Sequence, residues 1–217
     1  MQPKKSKGRV FVLQGYAYSL VVKMFHMYGY EVVSKLEDSD IVCFLGGDDI
    51  NPKLYGETEA GAEGWNDERD AYEVDIYNRC GTRFKVGICR GGQLLNVLNG
   101  GSLWQDVNNH NSGVHSVLDY ITNEAVVVNS LHHQQMRLGD AGELVAGCHL
   151  SSKKDSYNAY WSSSISKADK TNKDVDVEVA FYEATKSLCF QPHPQLRPLG
   201  STGKYFKSLL DRFYHAA

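Results

Sequence analysis

Cys89 lies in a segment whose residue types fit nucleophilic thiol chemistry. The segment reads GICRG, so Gly87 stands two positions before the cysteine and Gly91 two positions after it. An apolar stretch from 84 to 88 precedes it, and leucines at helical spacing follow. This pattern predicts a strand, a sharp turn with the cysteine at its tip, and a helix. The glycines are needed because strand and helix pass closely at such a turn.

The predicted turn has chemical consequences for the cysteine. It raises the sulfur at the carboxyl end of a strand and points it at the start of a helix, whose dipole and free N–H groups favour a thiolate. The backbone N–H of Arg90 would lie where the oxyanion of a reacting carbonyl could be bound. The same local pattern also fits a buried structural cysteine in a glycine-rich turn. Residues elsewhere in the chain must distinguish a catalytic from a structural cysteine.

A catalytic thiol needs an imidazole within hydrogen-bond reach to accept its proton. His193 follows a stretch at 188–191 (LCFQ) that is predicted to be the last buried strand. Because the carboxyl ends of parallel strands meet at one edge of a sheet, Cys89 and His193 are expected to lie close together. Prolines on both sides of His193 predict a rigid, extended segment.

The first half of the chain alternates between predicted strands and helices. Apolar patterning predicts strands at 9–13, 31–34, 41–45 and 84–88 and helices at 17–28, from 67 onward and after Cys89 to 99. Such alternation implies right-handed βαβ units and a mostly parallel sheet. The acids of the helix that begins at Asp67 are predicted to cap and solvate it.

The second half is less regular. Residues 108–125 are predicted to form loops and short extended pieces, followed by a strand at 125–129 and a polar segment at 130–134. Residues 151–173 read as a solvated excursion, and the apolar–acidic alternation at 175–182 predicts a half-exposed antiparallel strand. An amphipathic helix is predicted at 205–214.

Composition bounds the class of protein. The 217 residues predict one domain, 1–217, with residues 1–7 as a flexible basic tail. A net charge of -3 argues against a nucleic-acid binder. No apolar run has the length of a membrane span or a secretory signal, so a cytoplasmic protein without membrane contact is expected. The five cysteines form no C-x-x-C pair, which speaks against zinc knuckles and disulfides, and no metal or cofactor is expected.

Five segments resemble one known family in the right order. GICRGGQLLNVLNGGSLWQD is similar to the nucleophile region of class I glutamine amidotransferases, most closely their γ-glutamyl-γ-aminobutyrate hydrolase-like (peptidase C26) branch. LGGDDINPKLYGE, DERDAYEVDIY, VVVNSLHHQ and FQPHPQ resemble further segments of that branch. The resemblance implies a flavodoxin-like, doubly wound α/β fold with a mostly parallel sheet and helices on both faces. It also implies hydrolysis of a γ-glutamyl amide through a γ-glutamyl thioester.

The resemblance assigns roles to individual residues. Cys89 would be the nucleophile, His193 the base that later acts as the acid, and the backbone N–H groups of Gly47 and Arg90 the oxyanion hole. Four residues would lie near the glutamyl head group: Gln93, Asn129, Ser130 and His132. For His132, a solvent-facing loop position is an equally open interpretation.

Two positions depart from the family pattern. Pro192 replaces a tryptophan, and Gln195 replaces the glutamate that orients the histidine. A glutamine still accepts a hydrogen bond through its carbonyl oxygen, but it brings no charge to stabilise imidazolium.

The sequence therefore leaves three functions open. The first is a hydrolase that releases glutamate from a small γ-glutamyl amine. The second is a glutaminase component that supplies ammonia to a separate synthetase. The third is a binding or regulatory protein with weakened catalysis. The sequence also leaves open whether the chain forms a homodimer.

Overall fold

Four helices and fourteen strands make up the part of the chain that the structure describes. The structure is a computed structural model, and it describes residues 6–111, 113–149, 152–154, 160–162 and 175–215. The helices are α1 Tyr18–Tyr28, α2 Asp67–Arg79, α3 Arg90–Leu98 and α4 Ser201–Phe213. The strands are β1 Arg9–Val12, β2 Glu31–Val33, β3 Ile41–Phe44, β4 Phe84–Ile88, β5 Ser102–Trp104, β6 Asp106–Val107, β7 Val114–Asp119, β8 Glu124–Asn129, β9 Gln135–Arg137, β10 Glu143–Cys148, β11 Ser152–Lys154, β12 Tyr160–Ser162, β13 Asp176–Tyr182 and β14 Ser187–Phe190.

The central sheet has a parallel half and an antiparallel half. Its order is β2-β1-β3-β4-β14-β13-β10-β7-β8, with β9 and β5 attached beside β13. The strands from β2 to β14 pair in parallel, and those beyond β14 pair antiparallel. The α/β class is thus confirmed. The carboxyl ends of β4 and β14, which precede Cys89 and His193, lie side by side in this sheet.

Helices cover the sheet on both faces because its central strands are apolar on both faces. Ile41 and Cys43 of β3 belong to the same buried cluster as the apolar residues of α1 and α4. Val42 and Phe44 belong to the opposite cluster, which includes residues of α2 and α3. Since side chains of a strand alternate between the two faces, one wholly apolar strand serves both layers.

Two predictions for the second half need revision. Residues 114–119, within the stretch predicted to form loops and short extended pieces, form β7, which pairs in a regular hairpin with β8, the strand predicted at 125–129. Strand β13 is antiparallel, as predicted, but all seven of its residues are buried, so the prediction of a half-exposed strand was wrong. Its acidic side chains face buried histidines. The predicted excursion at 151–173 lies largely outside the described residues, although β11 and β12 pair within it.

No helix in the described part of the chain combines the length and apolar character needed to cross a bilayer.

Deleting the first seven residues is expected to change the melting temperature by no more than about 4 °C. Lys7 is bonded to the fold: its N–H donates to the Gly29 carbonyl at 3.0 Å, and its Nζ pairs with Asp211 at 2.9 Å. Both side chains of that pair are more than a third exposed. Exposed pairs contribute about 0 to 1 kcal/mol, which is about 2–4 °C for a chain of this size. Calorimetry of a chain that starts at Gly8 tests this, with full-length Lys7→Ala as control; a fall above 10 °C would show a docked tail.

Candidate active site

Cys89 occupies the tip of a strand-to-helix elbow, as predicted. Its φ of 54° and ψ of -116° lie in a region that residues with a side chain rarely adopt. Its N–H donates to Phe190 O of the neighbouring strand at 2.8 Å. A Cβ at Gly87 would overlap the Gly91 carbonyl, and a Cβ at Gly91 would overlap the Phe44 carbonyl. The two glycines are therefore required by the close passage of strand and helix.

The sulfur of Cys89 is held by an amide relay. Nε2 of Gln191 donates to Sγ at 3.7 Å, and Oε1 of the same amide accepts from Gln93 Nε2 at 3.2 Å. Gln93 Nε2 also donates to the Gln134 carbonyl at 3.0 Å. Gln191 was not singled out from the sequence, although it lies in the FQPHPQ segment, two residues before His193.

Burial decides the protonation state of Cys89. It raises the pKa of the thiol to about 12, although the Arg90 N–H lowers it, while Asp49 and Glu178 raise it further. The N–H at the start of the helix therefore acts in the predicted direction, but burial outweighs it. The cysteine is a neutral thiol at neutral pH.

His193 lies against the same glycine as Cys89. A Cβ at Gly46 would be 3.5 Å from His193 Cε1 and 3.6 Å from Cys89 Cβ, so the imidazole and the cysteine flank one point of the loop after β3. His193 Nε2 is buried and makes no hydrogen bond. Burial and the nearby His132 lower the pKa of His193 to about 4, partly offset by the Leu131 backbone. The imidazole is neutral and its Nε2 is available.

Asn129 and Tyr16 fix the position of His193. The Asn129 amide binds the His193 backbone at two points, because Nδ2 donates to His193 O and Oδ1 accepts from His193 N, each at 2.8 Å. The Tyr16 ring packs edge-on against the imidazole, with 6.1 Å between the ring centroids. The two hydrogen bonds of the Asn129 side chain thus position the histidine.

Gln195 lies where the family has its orienting glutamate. Its Nε2 is 3.0 Å from His193 Nδ1, while its Oε1 is buried without a hydrogen bond. In this orientation Nδ1 accepts, which leaves the proton of the neutral ring on Nε2. A half-turn of the amide would place Oε1 opposite Nδ1, so that Nδ1 donates and Nε2 becomes a base. A carboxylate would allow only the second arrangement.

Arg69 braces the loop that faces Cys89. Its Nη2 donates to the carbonyls of Leu45 at 3.1 Å and Gly46 at 3.0 Å. Gly47 follows with a φ of 150°, and a Cβ there would overlap Arg69 Nη1. Glycine at 47 thus lets the guanidinium reach the loop, which fixes the backbone predicted to form part of the oxyanion hole.

Arg90 turns its side chain away from the sulfur and into the protein. Its guanidinium is 2% exposed and pairs with Asp70 and Glu73 of α2, whose side chains are 4% and 1% exposed. Glu73 also binds Arg69 Nε at 2.9 Å. The N-cap of α2 is Asn66, whose side chain accepts from Arg69 N at 2.9 Å. The prediction that the acids of α2 only cap and solvate it was therefore wrong for Asp70 and Glu73.

Ser130 and His132 are part of a buried polar cluster next to the site. Ser130 Oγ donates to the His110 carbonyl at 2.8 Å, and His132 Nδ1 lies 2.9 Å from the Gln134 carbonyl. The open interpretation of His132 as solvent-facing is wrong, because its side chain is 2% exposed. Burial raises the pKa of the adjacent Glu178, but the surrounding imidazoles outweigh it and bring it to about 2.

The strand-to-helix elbow at Cys89 and the doubly wound sheet together define the fold of the class I glutamine amidotransferases, which is flavodoxin-like. A glutamine amidotransferase from Thermotoga maritima superposes with a TM-score of 0.57 at 14% identity, covering 96% of this chain and 83% of that one. PurLQS from the same organism superposes with a TM-score of 0.59 at 15% identity, covering 94% and 97%. The model of the peptidase C26 family matches residues 17–170. The chain belongs to the peptidase C26 family.

Relatives with similar sequences bear related names. The glutamine amidotransferase-like protein YvdE of Lactococcus lactis is 32% identical over 121 residues, which are 45% of this chain and 51% of that protein. Protein NtpR of Enterococcus hirae is 29% identical over 126 residues, which are 47% and 53% of the two chains. The matched segment spans about half the length of these relatives.

Proposed function

We propose that this protein hydrolyses the γ-glutamyl amide bond of a small molecule through a thioester on Cys89. The observation that carries the proposal is the placement of Cys89 and His193 on either side of Gly46, at the ends of two neighbouring strands. Cys89 supplies a nucleophile on one side of Gly46, and His193 supplies on the other side an imidazole nitrogen, Nε2, that has no hydrogen-bond partner. Membership of a hydrolase family of glutamine amidotransferase type supports the same chemistry.

The first half of the reaction uses the neutral pair. With the Gln195 amide turned so that its Oε1 accepts from His193 Nδ1–H, Nε2 carries no proton and accepts that of the thiol as Sγ attacks the γ-carbonyl carbon. A thiolate need not exist before the substrate arrives. The carbonyl oxygen becomes an oxyanion, which the N–H groups of Arg90 and Gly47 bind. His193 then gives the proton to the departing amine. The γ-glutamyl group is left on Cys89 as a thioester.

The second half returns the enzyme to its starting state. Water enters where the amine left, and His193 Nε2 takes its proton while the oxygen attacks the thioester carbon. The same two N–H groups bind the second oxyanion. Collapse releases glutamate and restores the thiol.

In this proposal the substrate's glutamyl head group lies near four polar residues around Cys89 and His193: Gln93, Asn129, Ser130 and His132. All four already hold neighbouring groups in place, since Gln93 supports the amide relay and Asn129 clamps His193. These side chains are therefore already ordered before the substrate binds, so binding costs little conformational entropy.

A substrate panel separates the hydrolase from the two other functions. Purified protein is incubated with several γ-glutamyl amines and with glutamine, and released glutamate and ammonia are measured. A hydrolase releases glutamate from one or more γ-glutamyl amines without a partner protein. A glutaminase component releases ammonia from glutamine, and only when a synthetase is added. Absence of glutamate release from every compound by the purified protein would overturn the proposal and leave the two other functions.

Gln195→Glu is expected to raise turnover about ten-fold, and Gln195→Ala to lower it. A charge-assisted hydrogen bond to His193 Nδ1 is roughly twice as strong as a neutral one, a gain on the order of 1 to 2 kcal/mol for the imidazolium. The carboxylate also leaves Nε2 free of the proton in the neutral ring.

The pH profile separates this effect from a change in structure. His193 must be neutral to act as the base, so kcat/KM falls as pH drops through its pKa, which is about 4 in the parent. The new carboxylate raises that pKa, so the acid limb of the Gln195→Glu variant should move to higher pH. A slower Glu variant with an unmoved limb would show that the site is built around the amide.

A further inference from the structure

A cluster of three histidines surrounds one buried carboxylate behind the catalytic site. Oε1 of Glu178 lies 3.4 Å from His110 Nδ1, 3.3 Å from His115 Nε2 and 3.7 Å from His132 Nε2. The Glu178 side chain is 0% exposed, and those of the three histidines are 0%, 8% and 2% exposed. Four potential ligand atoms therefore converge on one buried point.

None of these three contacts to Glu178 Oε1 makes a hydrogen bond. A nitrogen and a carboxylate that share a proton lie about 2.7 to 2.9 Å apart. His115 Nε2, His132 Nε2 and both Glu178 oxygens have no hydrogen-bond partner, although all are buried. Buried polar atoms are nearly always satisfied, so four such atoms in one cluster point to a missing partner.

The same distances suit atoms that share a metal ion. Zinc binds imidazole nitrogens and carboxylate oxygens at about 2.0 to 2.2 Å in a tetrahedron, which places neighbouring ligand atoms roughly 3.3 to 3.6 Å apart. Ligand atoms of His110, His115 and Glu178 all lie within 4.8 Å of one another. His132 lies beside this set, with Nε2 3.7 Å from Glu178 Oε1 and its ring stacked on that of His110 at 4.6 Å between ring centroids.

The atoms behind His110 fit this role. The distal nitrogen of His110, Nε2, lies 3.3 Å from Asp176 Oδ2, and Nδ1 of the same ring lies 3.1 Å from Ser130 Oγ. Metal-binding histidines usually donate their other N–H to a carboxylate or carbonyl, which fixes the ring and its tautomer.

We propose that His110, His115 and Glu178 bind one zinc ion, or a divalent ion with the same ligand preference. The ion joins β13, β7 and the segment at 110. Three protein ligands leave the fourth position of a tetrahedral ion for a water molecule.

Zinc content and thermal stability of the full chain test the proposal. The purified protein is dialysed against a chelator, freed of it, and given one equivalent of ZnCl2 before gel filtration and elemental analysis. We expect one zinc per chain. At a free zinc concentration 100-fold above Kd, we expect a rise in melting temperature of roughly 5 to 10 °C. Glu178→Gln and His115→Ala should both bring bound zinc to background, whereas His26→Ala, an exposed histidine on α1, should keep it.

A cobalt spectrum keeps the test decisive even if the variants fail to fold. Co²⁺ added to the chelator-treated parent should give the visible bands of a tetrahedral site without a thiolate charge-transfer band. Zinc-free parent protein after loading would overturn the proposal. So would a thiolate band, or zinc lost in Cys148→Ser but kept in Glu178→Gln. The thiolate band, or the loss of zinc in Cys148→Ser alone, would instead assign the metal to His110, Cys148 and Asp176, whose ligand atoms also lie within 4.8 Å of one another.

Discussion

Cys89→Ala is expected to reduce glutamate release from a γ-glutamyl amide by at least about 10⁴-fold. The alanine removes the atom that forms the thioester, so the reaction loses its covalent intermediate and His193 loses the proton it is placed to accept. Binding and oxyanion contacts alone leave only a small residual rate over the uncatalysed reaction. The measurement is glutamate release at matched protein concentration and pH.

Cys80→Ala is the matched control for this loss. Cys80 is a buried cysteine that ends α2, with no polar contact to the site. It should cost some stability through lost packing and leave the rate within a few-fold of the parent. If Cys89→Ala retained most of the activity, or if Cys80→Ala lost as much, Cys89 would not be the nucleophile.

Arg90→Met is expected to destabilise the protein by about 3 to 5 kcal/mol, which is roughly 10 °C in melting temperature. The methionine fills most of the volume but leaves Asp70 and Glu73 buried without their shared guanidinium. Removing one partner from a buried ion pair leaves an uncompensated charge, and that penalty exceeds the value of the pair itself. Urea unfolding of both proteins gives the free energy difference.

Arg79→Met provides the matched control in the same helix pair. Arg79 ends α2 and pairs with Asp75 and Glu37, but its side chain is 52% exposed. The same substitution there should leave the free energy of unfolding nearly unchanged, because water screens an exposed ion pair. Equal effects at positions 79 and 90 would show that burial of the Arg90 network adds nothing to stability.

The sequence was sufficient for the elements that follow from local pattern. The elbow at Cys89 could be predicted because glycine spacing and an apolar strand are both local signals. The meeting of Cys89 and His193 could be predicted from one topological rule, since β4 and β14 pair in parallel and both residues follow their strands directly.

What the sequence did not reveal depends on contacts between distant segments. Asp70 and Glu73 lie on a helix rich in charge, and only the position of Arg90 on the next helix explains their burial. Glu178 belongs to a strand in which acidic and apolar residues alternate, which is the pattern of a half-exposed strand. In the structure, three histidines from other segments surround the Glu178 carboxylate and bury it. The dominant effect of burial on the pKa of Cys89 could not be predicted from local pattern either, because burial is a property of the whole fold.

Covalent labelling tests the central claim most directly. A diazo-ketone analogue of glutamine places a reactive carbon where the γ-carbonyl would lie, and attack by a thiol there expels nitrogen gas and leaves a stable thioether. Peptide mapping by mass spectrometry then identifies the labelled residue among the five cysteines, all of which are free thiols in the structure. The proposed mechanism predicts one adduct per chain, on Cys89, blocked by prior addition of a γ-glutamyl substrate. A label mainly on Cys43, Cys80, Cys148 or Cys189, or no label at all, would contradict it.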